Sequence, residues 1–569
     1  MRPWYFSTFA LLVSAAAQSI VDLYVAKESP TAQAGVLANI GPNGAKSSGA
    51  YPGVVIASPS NSDPDYLYTW TRDSSLVFKL LIDQYTTNGG FDASLRLLID
   101  LFVAAEGHIQ QVTNPSGAVL TGGLGEPKFM INETEFTGPW GRPQRDGPAL
   151  RATAIITYAN WLLANNNASY VSEKLWPIIQ LDLDYVAGNW NSSTFDLWEE
   201  VRAFSFFTSA VQHRALREGV TLAKSLGKST QASNYASQSD RVLCFLQSYW
   251  NSSLGYIVAN PGVQRSNIDA NTVLASIHTF DADAGCDAVT YQPCSDKALA
   301  NLKVYVDSFR SVYLINSGIL ANQAVATGRY PEDVYQGGNP WYLTTFAVAE
   351  QLYDALIVWN KQGCFDVTDT SLAFFHTFDT SLSTGTYCTS SSTYTSITSA
   401  IQSFADAFIA VNANYTPVDG GLAEQYSRNN GTPVSAHDLT WSYASALTSF
   451  SARGGHTSAS WGAKGLTVPG SCFIPVSVQF NVRATTVPGE NIYLTGSVPE
   501  LKNWDPSTAI LMSSADYPIW STTVKLPADH PIEYKYIRKD GSSVTWESDP
   551  NNAFTTVASG SQTLDDTWR

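Results

Sequence analysis

Two segments of this sequence carry carboxyl residues that could share acid and base catalysis. In the first, Glu199 and Glu200 directly follow Trp198, in a chain whose charged fraction is only 14%. In the second, Glu424 lies in a Gly- and Asn-rich stretch. Hydrolysis of a glycosidic bond needs two carboxyl groups, one to protonate the leaving oxygen and one to activate water. A like-charged neighbour and partial burial raise a carboxyl pKa, as a general acid requires, although an isolated Glu pair is more often a solvated turn.

Two further segments combine charged residues with aromatic rings. YLYTWTRD, residues 66–73, places Arg72 and Asp73 beside three aromatic residues. The carboxylate can accept from sugar hydroxyls, the guanidinium can donate, and a ring can stack on a sugar face. The alternative is a structural ion pair among core aromatics. GPWGRPQRDGP, residues 138–148, packs a Trp and two Arg among turn-forming residues.

The elements that must position these residues change type along the chain. Between about residues 75 and 455, helical apolar spacing predicts helices at 149–164, 207–223, 298–306, 344–360, 397–411 and 440–452. Long loops separate them, which predicts one large all-α domain whose site is built on loops. Strands do not alternate with helices here, and this disfavours an α-amylase-type barrel.

After about residue 475 the pattern changes to short strands. Residues 476–483 (VSVQFNVR) alternate apolar and polar, β-rich runs follow at 492–494, 520–526 and 532–538, and Asp540-Gly541 is a hairpin signal. These runs predict a small β-sandwich or barrel, and we expect an antiparallel β-sandwich. The predicted organisation is a signal peptide at 1–17, an α domain at 18–461, a short junction at 462–475 and a β domain at 476–569.

Several features predict a secreted, extracellular glycoprotein. Arg2 precedes an apolar stretch that ends in Ala15-Ala16-Ala17, which is typical of a signal peptide. The six Cys predict three disulfides, for which fifteen pairings are possible. Six glycosylation sequons begin at Asn132, Asn167, Asn191, Asn251, Asn414 and Asn430.

The net charge argues for a neutral substrate. The chain has 569 residues and a formal charge of −16, which disfavours nucleic acid and anionic membranes as partners. Neither a C-x-x-C pair nor an H-E-x-x-H motif is present in the sequence, so no metal site is predicted. A monomer is the default expectation for a secreted enzyme of this size.

The four segments around Glu199, Glu424, Arg72 and Trp140 resemble the signature loops of glucoamylases, glycoside hydrolase family 15. GRYPEDVY (328–335), GGNPWYL (337–343) and LTWSYA (439–444) extend the resemblance, with all motifs in the family's order. The resemblance implies an (α/α)6 barrel with its pocket at the loop end. It implies exo-acting, inverting release of β-D-glucose from non-reducing ends of α-1,4 glucans, slower action on α-1,6 bonds, and no cofactor.

The resemblance also implies roles for individual residues. Glu199 resembles the general acid and Glu424 the general base, with their carboxyl groups roughly 6.5–9.5 Å apart for an inverting reaction. The implied ligands of the terminal glucose are Arg72, Asp73 and Arg329, and Glu200 resembles a binder of the next glucose. The implied pocket wall consists of Tyr66, Trp70, Trp140, Trp341 and Trp441, with main-chain contacts from Leu197 and Trp198.

The C-terminal region resembles the starch-binding modules of family 20. The matching stretches are residues 489–504, 533–541 and 546–551. The resemblance implies one binding site made of Trp504, Lys535, Trp546 and Asn551 and a second made of Tyr517 and Trp520. Pro488 stands where the family often has a third aromatic residue. Within the resemblance, the predicted disulfides are Cys286–Cys294, Cys364–Cys388 and Cys244–Cys472.

Two other functions stay open from the sequence. One is a sister specificity on the same scaffold, such as trehalose or dextran hydrolysis; the other is a starch lectin without catalysis. The starch module and the loop motifs favour starch, amylose, amylopectin and maltooligosaccharides as partners. The presence of both Glu199 and Glu424 argues against a lectin.

Overall fold

The computed structural model describes residues 19–569 apart from 471, 473, 474, 529, 542, 558 and 559, so the predicted signal peptide lies outside the described residues. Within them, twelve α-helices of eight residues or more precede residue 454. All six helices predicted from apolar spacing fall inside members of this set. The twelve are α1 (Ile20–Ala38), α2 (Thr71–Thr87), α3 (Ala93–Ile109), α4 (Gly147–Ala164), α5 (Trp176–Asn189), α6 (Phe206–Ser225), α7 (Ser229–Leu246), α8 (Asn271–His278), α9 (Asp296–Ser308), α10 (Tyr342–Gln362), α11 (Ser392–Tyr415) and α12 (Thr440–Arg453).

The twelve helices form the predicted (α/α)6 barrel. The even-numbered helices contact one another in order from α2 to α12, and α12 returns to α2, so the inner ring closes. Each odd-numbered helix packs outside an even-numbered neighbour, for example α7 on α6 and α11 on α10. Burial follows this arrangement, since α10 buries 17 of its 21 residues and α7 only 8 of 18. The inner helices are therefore buried on most sides, whereas the outer ones keep one face toward solvent.

Short antiparallel strand pairs stabilise the loops between these helices, and three of the pairs lie beside predicted site residues. Their main-chain hydrogen bonds fix the loops that a helix bundle alone would leave free. The pairs join Thr69–Trp70 to Lys128–Phe129, Thr194–Phe195 to Arg202–Ala203, Trp250–Asn251 to Tyr256–Ile257, Cys364–Val367 to Gly385–Cys388, and Gln425–Tyr426 to Pro433–Val434.

The C-terminal region is a β-sandwich with its own core. Its strands are β1 (Pro475–Arg483), β2 (Asn491–Gly496), β3 (Ile510–Leu511), β4 (Ser513–Asp516), β5 (Ile519–Pro527), β6 (Pro531–Asp540), β7 (Ser543–Trp546), β8 (Asn552–Thr555) and β9 (Ser561–Thr567). One sheet has the order β4-β5-β1-β9 and the other β3-β2-β6-β7, with β8 also on β6. All pairs are antiparallel as predicted except β1 with β9. Those two are the first and last strands, which no hairpin joins.

Three disulfides have the predicted pairing: Cys244–Cys472, Cys286–Cys294 and Cys364–Cys388. The first joins α7 to the junction across 228 residues. The sandwich also contacts the barrel directly, because Glu500 Oε1 lies 3.9 Å from Arg241 Nη1. Among the described residues, no helix combines the length and apolar character needed to cross a membrane.

Candidate active site

A cavity of about 620 Å³ lies where the barrel loops converge. The loops lead into inner helices: Arg72 and Asp73 stand in the first turn of α2, Trp341 precedes α10, and Trp441 stands in the first turn of α12. Helix N-termini carry partial positive charge, which favours carboxylates around the cavity. The cavity is lined by all thirteen residues predicted for the pocket: Tyr66, Trp70, Arg72, Asp73, Trp140, Leu197, Trp198, Glu199, Glu200, Arg329, Trp341, Glu424 and Trp441.

Glu199 stands in the tight loop between the strands Thr194–Phe195 and Arg202–Ala203. Asp196 shapes this loop, because its carboxylate accepts from the backbone N–H of Glu200 at 2.9 Å and of Val201 at 3.1 Å. The Asp196 carbonyl accepts from the N–H of Glu199 at 2.9 Å. Glu199 itself has φ 67°, a left-handed conformation that costs a non-glycine residue about 1–2 kcal/mol. The surrounding hydrogen bonds hold that conformation in place.

Both carboxylate oxygens of Glu199 accept from side chains on other loops. Arg72 Nη2 donates to Oε1 at 3.0 Å, and Trp140 Nε1 donates to Oε2 at 2.7 Å. Arg72 is fixed in turn, since its Nη1 donates to Asp146 Oδ2 at 2.9 Å and to Gln144 Oε1 at 2.8 Å. The Glu199 carboxyl group therefore has one orientation at the cavity wall.

Asp73 neighbours Arg72 but has a different electrostatic environment. Burial and the negative charges of Glu199 and Asp146 together raise the pKa of Asp73 to about 6, although Arg72 opposes that rise. The Arg72 Nε atom lies 3.8 Å from Asp73 Oδ2. In mildly acidic solution this carboxyl group is partly protonated, so it can both donate to and accept from sugar hydroxyls.

Glu200 faces away from its neighbour into a cationic cluster. Arg329 Nη2 donates to Oε1 at 2.7 Å, Arg265 Nη2 donates to Oε2 at 2.8 Å, and the Tyr330 hydroxyl also donates to Oε2. Burial acts to raise the pKa of Glu200, but Arg329 and these hydrogen bonds outweigh it, so the pKa lies below its usual value. Asp333 holds the far side of Arg329 through Nε at 2.8 Å. The two adjacent Glu residues thus have separate partners.

Glu424 belongs to the loop that ends at the strand Gln425–Tyr426. Gln425 Nε2 donates to its Oε2 at 3.0 Å, and the Ser435 hydroxyl donates to the same oxygen. Burial raises the pKa of Glu424 to about 7, while Ser435, Tyr66 and other nearby donors oppose that rise. The Tyr66 hydroxyl in turn lies 2.6 Å from the hydroxyl of Tyr335.

Several residues that line the cavity were not among the individually predicted site residues. Lys128 is the most unusual, because its side chain is cationic and only 2% exposed. No motif spacing marks it, although it lies in the segment that precedes Trp140. Burial lowers the pKa of Lys128 to about 8, while the charges of Glu199 and Asp65 act in the opposite direction. Tyr68, Phe136, Tyr335 and Leu439 also line the cavity.

The residues predicted to bind starch differ in exposure. Trp546 is 40% exposed at the end of β7. Lys535 Nζ donates to Asp549 Oδ1 at 2.5 Å and to the Glu547 carbonyl at 3.3 Å, so it lies against the segment that follows Trp546. Asn551, in the same segment, donates from Nδ2 to Glu533 Oε2 at 2.9 Å. Trp504 is partly buried at the end of a short 3-10 turn.

The predicted second starch site has only one exposed ring. Tyr517 is 52% exposed, but Trp520 is 3% exposed and belongs to the sandwich core. The Trp520 indole Nε1 donates to the Ala484 carbonyl at 3.2 Å. A ring that is buried in this way offers no free face to a sugar, so Trp520 supports the fold at this position.

Comparison with known proteins agrees with this geometry. Residues 30–451 match the model of glycosyl hydrolases family 15, and residues 475–566 match that of the starch binding domain. The chain is 61% identical to Glucoamylase-1 of Schizophyllum commune, covering 97% of this chain and 96% of that protein. It is 48% identical to the glucoamylase of Neurospora crassa, covering 96% and 94%.

A solved structure extends the similarity to the fold. The glycoside hydrolase family 15 glucoamylase from Hypocrea jecorina is 48% identical and superposes with a TM-score of 0.76 over 96% of this chain and 100% of that one. The chain therefore belongs to glycosyl hydrolases family 15, as an exo-acting glucan 1,4-α-glucosidase with a C-terminal starch binding domain.

Proposed function

We propose that Glu199 is the general acid and Glu424 the general base of this glucan 1,4-α-glucosidase, and that it inverts the anomeric carbon. Glu199 would protonate the leaving glycosidic oxygen, while Glu424 would take a proton from the attacking water on the opposite face of the sugar. The observation that carries the proposal is that both carboxyl groups line one cavity while separate loops and donors hold them. The released product would be β-D-glucose.

The cationic and acidic neighbours would bind the sugar. Arg72 and Asp73 lie together beside Glu199, and we assign them, with Arg329, to the hydroxyls of the terminal glucose. Glu200, whose pKa is lowered, stays ionised and would accept hydrogen bonds from the next glucose. Charge-assisted hydrogen bonds of this kind contribute about 1.5–3 kcal/mol each.

One observation favours the reverse assignment of acid and base. A raised pKa is typical of a general acid, and burial raises the pKa of Glu424 to about 7. Glu199 forms an ion pair with Arg72, whose Nη2 lies 3.0 Å from Oε1. In the reverse mechanism Glu424 would protonate the leaving oxygen and Glu199 would activate water. The resemblance of the loop around Glu199 to the family's acid-bearing loop supports the first assignment.

An activated substrate separates the two assignments. Fluoride leaves α-D-glucopyranosyl fluoride without needing a proton, so loss of the general acid spares this substrate and loss of the general base does not. We expect Glu199→Gln to lose maltose hydrolysis but to retain fluoride release, and Glu424→Gln to lose both. The opposite pattern would reverse the roles. Proton NMR of the first product should show the β-anomer, and the α-anomer would exclude inversion.

We also propose that the protein is secreted and acts as a monomer on starch. Three disulfides support an oxidising compartment, and none of the six sequon Asn side chains is buried. The starch binding domain would use Trp504 and Trp546 to hold granules. Peptide mapping of protein recovered from culture medium tests secretion and glycan occupancy. Analytical ultracentrifugation tests the oligomeric state through the molar mass in solution.

A further inference from the structure

Lys128 is a buried cation whose neighbours are aromatic rings. Its Nζ atom lies 3.9 Å from the ring centroid of Tyr68, 4.6 Å from that of Trp70, 4.3 Å from that of Phe136 and 3.6 Å from that of Trp140. In the part of the chain that the structure describes, no carboxylate forms an ion pair with it. The faces of the four rings therefore supply the electrostatic stabilisation that a buried ammonium needs.

The four rings form a closed circuit around this ammonium. Tyr68 contacts Trp70 at 6.2 Å between centroids, Trp70 contacts Trp140 at 5.9 Å, Trp140 contacts Phe136 at 5.8 Å, and Phe136 contacts Tyr68 at 5.2 Å, all edge to face. We call this circuit the aromatic box. Because each ring abuts two others and the central cation, no ring can turn without displacing its neighbours.

One wall of the box also contacts the proposed general acid. Trp140 is the ring closest to the ammonium, and its Nε1 donates to Glu199 Oε2 at 2.7 Å. The direction of that hydrogen bond depends on the orientation of the indole plane. The ammonium of Lys128 therefore attracts the face of the Trp140 ring. The N–H at the edge of the same ring binds the Glu199 carboxyl group.

We propose that Lys128 is a positioning residue for hydrolysis, which fixes the Trp140 ring through the aromatic box and thereby orients the Glu199 carboxyl group. The inference rests on the proposed function of Glu199. Lys128 acts here through Trp140 and does not itself need to touch the sugar. Substitution of Lys128 by methionine, which has a similar length but no charge, separates the contribution of the charge from that of the side-chain volume.

The first experiment compares Lys128→Met with a matched control. Lys297 also lies near two rings, with Nζ 5.9 Å from the centroid of Trp250 and 5.2 Å from that of Tyr291, but it does not line the cavity. We expect Lys128→Met to lower kcat on maltose about tenfold, with KM changed less than about twofold. Lys297→Met should leave both constants unchanged, and circular dichroism would verify that both variants fold. A wild-type kcat in folded Lys128→Met would overturn the inference.

A double-mutant cycle tests the route through the indole. Trp140→Phe removes the N–H that binds Glu199, so adding Lys128→Met to it should cost less than about threefold more in kcat. Fully additive losses would show that Lys128 acts independently of Trp140 and would overturn the proposed route. A purely structural role would lower the melting temperature without producing this non-additivity.

Two further variants keep the outcomes separate. If Lys128→Met fails to fold, Phe136→Leu opens one wall of the box while retaining the cation, and it should lower kcat about threefold. An unchanged kcat in that variant would likewise count against the inference. Glu199→Gln tests the proposed function itself: retained maltose hydrolysis there would overturn that function, whereas a normal kcat in Lys128→Met would overturn only the role of Lys128.

Discussion

The cavity of the barrel and the predicted starch-binding face of the sandwich have opposite arrangements of side chains. In the cavity, Arg72 is buried and contacts three partners at 2.8–3.0 Å, one of which is Glu199. On the sandwich, Trp546 is 40% exposed, and Lys535 is paired with the exposed Asp549. Chemistry needs groups that are oriented before the substrate arrives, whereas adsorption needs flat faces that a granule can reach.

This contrast predicts how each region responds to substitution. A buried network fails as a unit, because removing one member leaves others unpaired at low dielectric. Exposed stacking faces contribute more independently, so their losses should be moderate and nearly additive.

The largest effect is expected from the two proposed catalytic carboxyl groups. Glu199→Gln and Glu424→Gln should each lower kcat on maltose by about 10²–10⁴, because each removes proton transfer from the transition state. Both variants should adsorb to starch granules as the unmodified protein does, which a depletion assay can measure. A variant that lost adsorption together with catalysis would contradict the independence of the two regions.

Asp73→Asn should have the next largest effect. Losing a charge-assisted hydrogen bond to the terminal glucose should lower kcat/KM about 10–100-fold, equally on maltose and on soluble starch. Asp83→Asn is the matched control, since Asp83 lies further along the same helix, pairs with Lys79 at 2.6 Å and does not line the cavity. Unaltered maltose hydrolysis in Asp73→Asn would exclude its assignment to the terminal glucose.

Removing the two rings that are predicted to bind starch should affect adsorption alone. Each stacked ring is worth about 0.5–1.5 kcal/mol, so the double variant Trp504→Ala/Trp546→Ala should weaken granule binding roughly tenfold. Maltose turnover should stay intact, because neither ring lines the cavity. Trp568→Ala, at a ring that stacks on Arg538 outside the predicted sites, should leave adsorption unchanged. An equal loss of maltose turnover would instead indicate a structural role for the module.

The pocket residues could be predicted from the sequence because they lie in long local motifs. All thirteen predicted pocket residues line the cavity, and the six helices with clear apolar spacing are present. The helix α7 was not predicted, because its first half, from Ser229, is mostly polar and its burial depends on packing against α6. Domain order followed from the change in apolar period near residue 475.

Other features depend on tertiary contacts that local spacing does not encode. Lys128 was missed because the aromatic box joins residues 68–70, 128 and 136–140 only after the chain folds. Trp520 was assigned to a surface site, yet the register that pairs it with Val482 places it in the sandwich core.

The smallest effect should come from Ser435, a hydrogen-bond donor to the buried Glu424. Its hydroxyl stabilises the charged carboxylate, so Ser435→Ala should raise the pKa of Glu424 further. A general base works only when ionised, so the acid limb of the kcat/KM profile on maltose should move to higher pH, by less than about one unit.

The direction of that shift also separates the two assignments of Glu424. If Glu424 were the general acid, the alkaline limb would move to higher pH instead, because an acid works only while protonated. Ser427→Ala is the matched control, since the Ser427 hydroxyl accepts from the Asn429 N–H at 3.3 Å and lies in the same loop without bonding Glu424. A profile that stays fixed in Ser435→Ala would mean that the Ser435 hydroxyl does not tune this carboxyl group. Granule adsorption should not respond to Ser435→Ala at any pH, because the barrel that holds Glu424 and the sandwich that carries the two rings have separate hydrophobic cores.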